Sequence, residues 1–358
     1  MNQTEQAKQV SEETQRFDLA VLIGRFQPFH EGHATLLRRA LACAPEVVIV
    51  LGSAFHARST KNPFTWQERD AMIRTCLSEA DAARVKTIPV RDYYDDKRWS
   101  ASVQNKVKQL LPKARAIALV GYFKDASSYY LNRFPHWTLE AVEAEHAIDA
   151  TTLRSIFFET ENIEVSLAVL AQQVPSTVRQ YLKAWSHFPH FAVLAHEHLQ
   201  LQKYKAAWQV CPYPPIFSTV DAVVVTAGHV LLVQRGGFPG KGLWALPGGF
   251  VDQDERLLHA ALRELREETK LAVLQSSLEN ALIDVQVFDH PYRSLRGRTI
   301  THAHYFDLRS EHFPDIEAAD DAAAAKWVAI DELGAMEEQF FDDHFHILDH
   351  FLKLTAEP

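Results

Sequence analysis

The segment from Gly249 to Leu271 constrains the chain more than any other, because it fixes six chemistry-bearing residues in one spacing. Gly249, Glu255, Arg263, Glu264, Glu267 and Glu268 stand as Gly-x5-Glu-x7-Arg-Glu-x-x-Glu-Glu. Residues three and four apart on a helix share a face, so Glu264, Glu267 and Glu268 span an arc of about 100°. Leu258, Leu262 and Leu265 fall on a different face, which can pack against a sheet. Crowded carboxylates repel by roughly a few tenths of a kcal/mol per pair. A divalent cation reverses that sign, and hard oxygen donors suit Mg²⁺ or Mn²⁺ shared with substrate phosphates. Three nearby glutamates alone are usually a solvated helix face. The full pattern arises by chance on the order of once in ten million windows. Leu246-Pro247-Gly248-Gly249 adds the turn that a loop–helix site requires.

The chain has 358 residues, enough for two domains. Its net charge of −9, from 37 basic and 46 acidic residues, argues against a nucleic-acid partner but leaves room for nucleotides. Cys43, Cys76 and Cys211 lie far apart and form no metal-ligand pattern. The first 17 residues are polar and carry no apolar stretch of the kind a secretory signal needs, so residues 1–17 are expected to be a solvated, disordered tail. No apolar run approaches the roughly 20 residues of a membrane span. A cytoplasmic protein is expected. A homo-oligomer is compatible with the sequence but not specified by it.

From Asp18 onward apolar strands alternate with helical patterns. Leu19–Ile23, Glu46–Leu51, Val85–Val90 and Ala116–Gly121 read as strands. Ala34–Leu41, a helix opened by the capping box Thr65-Trp66-Gln67-Glu68, Thr152–Glu159 and Ser176–Trp185 read as helices. Strand–helix alternation predicts a Rossmann-like parallel sheet over residues 18–186, an α/β fold. Residues 187–215 read as a linker ending in Cys211-Pro212-Tyr213-Pro214-Pro215. Residues 216–358 read as an α+β domain. It holds a hairpin around Ala227-Gly228-His229, strands at Leu282–Phe288, Thr299–Leu308 and Lys326–Ile330, and a terminal helix at Phe341–Leu354.

A second constellation follows the first strand: Gly24-Arg25-Phe26-Gln27-Pro28-Phe29-His30-Glu31-Gly32-His33. His30 and His33 fall at a strand–helix junction, where a helix N-terminus favours phosphate. Two imidazoles there can donate to the oxygens of a transferring phosphoryl group. The alternatives for two nearby histidines are a solvated loop and a transition-metal pair.

Both constellations resemble known families. The acidic segment resembles the Nudix box, with Leu265 and Leu271 at its aliphatic positions and Lys270 where the family has a helix-ending glycine. The resemblance implies Glu264, Glu267 and Glu268 as metal ligands, Glu255 assisting, Gly249 shaping the turn and Arg263 orienting a glutamate. The general base is not placed. The decapeptide resembles the signature of HxGH nucleotidyltransferases, in the form found in archaeal-type nicotinamide-mononucleotide (NMN) adenylyltransferases. Ile148-Asp149-Ala150-Thr151-Thr152-Leu153-Arg154 resembles that family's Ile-Ser-x-Thr-x-x-Arg motif, with Asp149 replacing the serine. The resemblance implies that Gly24, Arg25, Phe26, Gly121, Thr151 and Arg154 bind substrate and that Trp99 stacks on the nicotinamide ring. Asn62-Pro63-Phe64-Thr65 with Arg69 resembles the family's helix entrance and supports the fold.

The order of the two halves is similar to that of bifunctional fusions. It implies adenylyl transfer from ATP to NMN, giving NAD and pyrophosphate, in the first half. In the second it implies hydrolysis of ADP-ribose to AMP and ribose 5-phosphate. Arg293, Arg296 and Arg298 either hold the substrate diphosphate or form a solvated loop. Two other functions stay open: a Nudix half that senses ADP-ribose or NAD without turnover, and a first half that adenylylates or cytidylylates another phosphate acceptor.

Overall fold

A computed structural model describes residues 16–121, 133–143 and 148–355. Nearly all of the expected tail lies outside them. The chain divides into two compact units, Met1–Ala195 and His196–Pro358.

The first unit is built on a five-stranded, all-parallel sheet of order β3-β2-β1-β4-β5. Its strands are β1 (Leu19–Gly24), β2 (Glu46–Leu51), β3 (Val85–Pro89), β4 (Ile117–Gly121) and β5 (Thr138–Ala141). The central strands are apolar almost throughout, as a sheet covered on both faces requires. Ala20, Leu22, Val47, Ile49 and Leu51 enter one core, and Leu19, Val21, Val48 and Val50 the other. Helices α1 (Glu31–Cys43), α2 (Trp66–Arg74), α3 (Glu79–Arg84), α4 (Asp96–Leu110), α5 (Ala150–Phe158), α6 (Ile163–Val169) and α7 (Ser176–Trp185) complete the unit. The capping box at Thr65 forms as read: Glu68 N–H donates to Thr65 Oγ1 at 3.3 Å and Thr65 N–H to Glu68 Oε2 at 2.8 Å. The sequence patterns do not predict α3, α4, α6 and β5. Polar residues interrupt α4, and β5 is a four-residue edge strand with no fully buried position.

Residues 187–215, read as a linker, contain α8 (Pro189–Ala207), a 19-residue helix. Its apolar residues do not fall on one stripe, so helical periodicity does not reveal it. Phe191 and Leu194 pack on the first unit's core.

The second unit holds a mixed sheet of order β10-β11-β6-β7-β12, with β8 on β7 and β9 on β6. Its strands are β6 (Ile216–Thr226), β7 (His229–Arg235), β8 (Trp244–Ala245), β9 (Gly248–Phe250), β10 (Leu282–Phe288), β11 (Arg298–Asp307) and β12 (Ala322–Ala329). β6 and β11 run parallel; the other pairs are antiparallel. The acidic segment forms α9 (Leu257–Thr269), followed by α10 (Gln275–Ala281), and α11 (His344–Leu352) ends the fold. Leu262 and Leu265 pack against Ala222, Val224 and Phe306 of the sheet, which leaves the glutamates on the other side of α9. No helix among the described residues is long and apolar enough to cross a membrane.

Leu22 is 1% exposed at the centre of the parallel sheet. Leu22→Ala is expected to cost the first unit about 3 kcal/mol, read as a lower denaturant midpoint.

Candidate active sites

In the first unit, the strand β1 ends at Gly24 and the Phe26 ring folds back over it. A Cβ on Gly24 would lie 3.0 Å from the Phe26 ring, so any side chain there would press on the ring. Phe26 is 3% exposed and meets His33 edge-on at 4.7 Å between centroids. Its ring is thus core. His30 caps α1 and stacks on His33 at 3.6 Å. The His30 backbone N–H donates to His33 Nδ1 at 3.3 Å, so the neutral His33 ring carries its proton on Nε2 and can donate there.

Asp149 keeps the cap that the family's serine would make. Its carboxylate accepts from the N–H groups of Thr151 at 3.1 Å and Thr152 at 3.2 Å, and from the Thr152 hydroxyl at 3.0 Å. Arg154 turns inward, 7% exposed. It donates to Gln27 O at 2.8 Å, Thr60 O at 3.1 Å and Thr151 Oγ1 at 3.2 Å. Burial, with the charge of the exposed Arg25 adding to it and the Asp149 carboxylate opposing, pulls its pKa down to about 10. Guanidiniums of Arg25 and Arg154 therefore gather beside the histidine loop, as a polyphosphate site requires. Gly121 ends β4 and accepts from Val142 N–H at 2.9 Å. Trp99 is half-buried near the start of α4, 6.0 Å from Phe134.

In the second unit, Arg263 gathers the acidic residues. It donates to Glu255 at 3.0 Å, and to Glu264 and Glu267 at 2.9 Å each. Glu268 lies deeper, 9% exposed, and accepts from Gly248 N–H at 3.0 Å. Burial pushes its carboxyl up to about 8, with Glu264 adding to the rise and the Gly248 N–H opposing it. Glu264 is raised too, by burial, which outweighs the lowering effect of its pairing with Arg263. A Cβ on Gly249 would come within 2.4 Å of Glu264 Oε1, so glycine is what lets this carboxylate lie against the turn. Among the described residues no three such side chains already converge as a metal cage.

Glu264, Glu267 and Glu268 line a cavity of ≈ 330 Å³. Arg235, Arg293, Arg296, Phe250, Phe341 and Asp342 line it too. The Arg296 guanidinium sits 4.9 Å from the Phe250 ring centre and 5.9 Å from that of Phe341, and Arg235 sits 4.2 Å from Phe341. Arg293 is committed to the fold, with a two-pronged pair to Asp343 at 2.8 and 2.7 Å. Arg298 donates to Asp289 O and is not among the cavity-lining residues. Of the three arginines read from the loop, Arg293 and Arg296 line the cavity, and Arg296 does so beside two aromatic rings. The sequence singles out neither Arg235, which reads as the polar end of β7, nor Phe341 and Asp342, which read as the start of a terminal helix.

Lys270 takes the left-handed conformation of the glycine it replaces, with φ 44° and ψ 33°. Its ammonium meets Glu317 at 2.6 Å.

Fold and sites define two enzyme classes in series, a nucleotidyltransferase-type unit and a Nudix-type unit. The family models agree: cytidylyltransferase-like over residues 21–120 and NUDIX domain over residues 216–351. The crystal structure of a bifunctional NMN adenylyltransferase/ADP ribose pyrophosphatase from Francisella tularensis, complexed with AMP and a Mn ion, superposes with a TM-score of 0.87. It is 34% identical and covers 94% of this chain and 99% of its own. The nicotinamide/nicotinic acid mononucleotide adenylyltransferase of Acinetobacter baylyi is 38% identical over 171 residues, 48% of this chain and 87% of that protein. The nicotinamide-nucleotide adenylyltransferase of Ignicoccus hospitalis is 40% identical over 90 residues, 25% of this chain and 53% of its own length. The chain belongs to the bifunctional NMN adenylyltransferase/ADP-ribose pyrophosphatase family.

An L-residue in the left-handed region costs about 1 kcal/mol, and the exposed Lys270–Glu317 pair returns little. Lys270→Gly is therefore expected to stabilise the second unit by roughly 0.5–1 kcal/mol. A fall of that size in chemical denaturation would show that the ion pair outweighs the strain.

Proposed function

We propose that the first unit transfers the adenylyl group of ATP to NMN, giving NAD and pyrophosphate, and that the second hydrolyses ADP-ribose to AMP and ribose 5-phosphate. The observation that carries both is the alignment, at 34% identity, with a protein described by those two activities along 94% of this chain.

In the first reaction the NMN phosphate attacks the α-phosphorus of ATP in line and pyrophosphate leaves, so no protein nucleophile is needed. The chain supplies position and charge. His33, with its proton on Nε2, and His30 donate to oxygens of the transferring group. Arg25 supplies positive charge for the triphosphate. Arg154 fixes the histidine loop through Gln27 O as well as adding charge. Thr151 lies beside it, and Gly24 and Gly121 leave room at the strand ends. Trp99 supplies a face for the nicotinamide.

In the second reaction water attacks one phosphorus of the diphosphate and the bridging oxygen leaves with the other. Burial and mutual repulsion hold Glu264 and Glu268 above the ordinary carboxylate range, and this donor set fits a divalent cation, Mg²⁺ or Mn²⁺. Glu264, Glu267 and Glu268 would hold it, with Glu255 assisting. Such a cation polarises a phosphoryl oxygen and lowers the pKa of bound water. Arg263 would then keep Glu255 while yielding the other oxygens. Arg296, which lines the same cavity beside the rings of Phe250 and Phe341, neutralises the second phosphate.

Two substitutions separate the activities. E267A is expected to lower ADP-ribose hydrolysis on the order of 10²–10³-fold and leave NAD formation within about twofold. H33A is expected to do the reverse. Chelation of divalent cations abolishes both. Unchanged hydrolysis in E267A contradicts the ligand assignment. Turnover of a phosphate acceptor other than NMN, with none of NMN, contradicts the first reaction.

A further inference from the structure

Arg69 in α2 is 1% exposed and forms no ion pair among the described residues. Its Nη1 donates to Arg25 O and to Gly52 O, at 2.7 Å each. Nη2 reaches Ser53 O and Nε reaches Thr65 O, both at 3.4 Å. One guanidinium thus ties the residues that follow β1, the residues that follow β2, and the cap of its own helix. Burial pulls its pKa down to about 10, with the Asp92 carboxylate opposing and the Arg25 charge adding to the fall. A charge buried without a carboxylate is costly, so some return is expected for it.

The return lies in the residues after the two short bonds. Phe26, which follows Arg25, has φ 52°, and Ser53, which follows Gly52, has φ 47°. Neither is glycine, and each carries the cost of a left-handed backbone. Both peptide bonds are trans, so the N–H of each unit points opposite to its carbonyl. With Arg25 O and Gly52 O turned toward Arg69, the N–H groups of Phe26 and Ser53 point away from it. Neither meets an acceptor among the described residues. The Gly52 N–H donates to Gly24 O at 2.9 Å, which holds the two strand ends together. The two N–H groups belong to residues just beyond the carboxyl ends of the adjacent parallel strands β1 and β2, where open α/β sheets bind ligands, and backbone N–H groups left without an acceptor suit an anion.

We propose that Arg69 is a positioning residue for adenylyl transfer, its fork turning the Arg25 and Gly52 carbonyls inward so that the Phe26 and Ser53 N–H groups form a phosphate cradle. This rests on the adenylyl-transfer reading of the first unit. Arg69 touches no reacting atom; it fixes two loops that do.

The test uses R69K and R69M in the full-length chain. Lysine keeps the charge but cannot bridge two carbonyls with a planar fork; methionine removes the charge and keeps most of the stem. Both are expected to raise KM for ATP and lower kcat, with a loss in kcat/KM on the order of 100-fold. R69K should recover less than about tenfold of it. ADP-ribose hydrolysis by the same samples should stay within about twofold, since its site lies in the second unit, and the melting transition of the first unit gauges its folded fraction. The rise in melting temperature produced by inorganic tripolyphosphate should shrink in both variants. A merely structural residue would lower the melting temperature of the free protein while the tripolyphosphate shift and kcat/KM of the folded fraction stayed within about threefold. That result overturns the proposal, as does near-complete rescue by lysine. If R69M does not fold, R69K alone decides. A wild-type chain that forms no NAD sinks the functional reading instead. A wild-type chain that forms NAD beside unaffected variants sinks only the role of Arg69.

Discussion

A guanidinium that donates to several oxygens at once is the interaction on which both sites depend. In the first unit Arg69 and Arg154 spend their donors on backbone carbonyls of the loops after β1 and β2. In the second, Arg263 spends its donors on three glutamates. The planar fork fixes direction as well as charge, and a lysine at any of these positions would supply only the charge. Each arginine holds polar groups that would otherwise scatter or repel, and each leaves a local charge imbalance. Around the histidine loop the excess is positive. Along α9 it is negative. A polyphosphate answers the first and a divalent cation the second.

The frame that carries these forks is ordinary burial. Valine, isoleucine and leucine cover both faces of the parallel sheet, so its strand ends and the loops beyond them are held still. In the second unit Leu262 and Leu265 settle α9 on the sheet, and the glutamate face follows from the helical period. Glycine enters where atoms crowd: Gly24 under the Phe26 ring and Gly249 against Glu264.

Much of this was legible in the residues. The four apolar runs of the first half are strands of one parallel sheet, and the acidic spacing forms one helix after a tight turn. The departures from family pattern resolve locally, since Asp149 still caps its helix and Lys270 still turns left-handed. What stayed hidden depends on contacts between distant segments. α8 has no apolar stripe to announce it. Arg69 is marked in the sequence only as part of a helix entrance, and its hold on the loops from 25 and 52 shows only when they arrive beside it. Arg235 and Phe341 are more than a hundred residues apart and meet only when β7 and the chain before α11 reach one cavity. Arg293 and Arg298 look equivalent to Arg296 in sequence, yet one is locked to Asp343 and another to the Asp289 carbonyl.

The central claim is that one chain carries two separate phosphorus chemistries. The most direct measurement is phosphorus NMR of a single sample holding the full-length chain, Mg²⁺ or Mn²⁺, ATP, NMN and ADP-ribose. The account predicts that the signals of NAD and pyrophosphate grow as those of ATP and NMN fall, while ADP-ribose gives way to AMP and ribose 5-phosphate. A sample in which either pair of products fails to form, with its substrates intact, contradicts it.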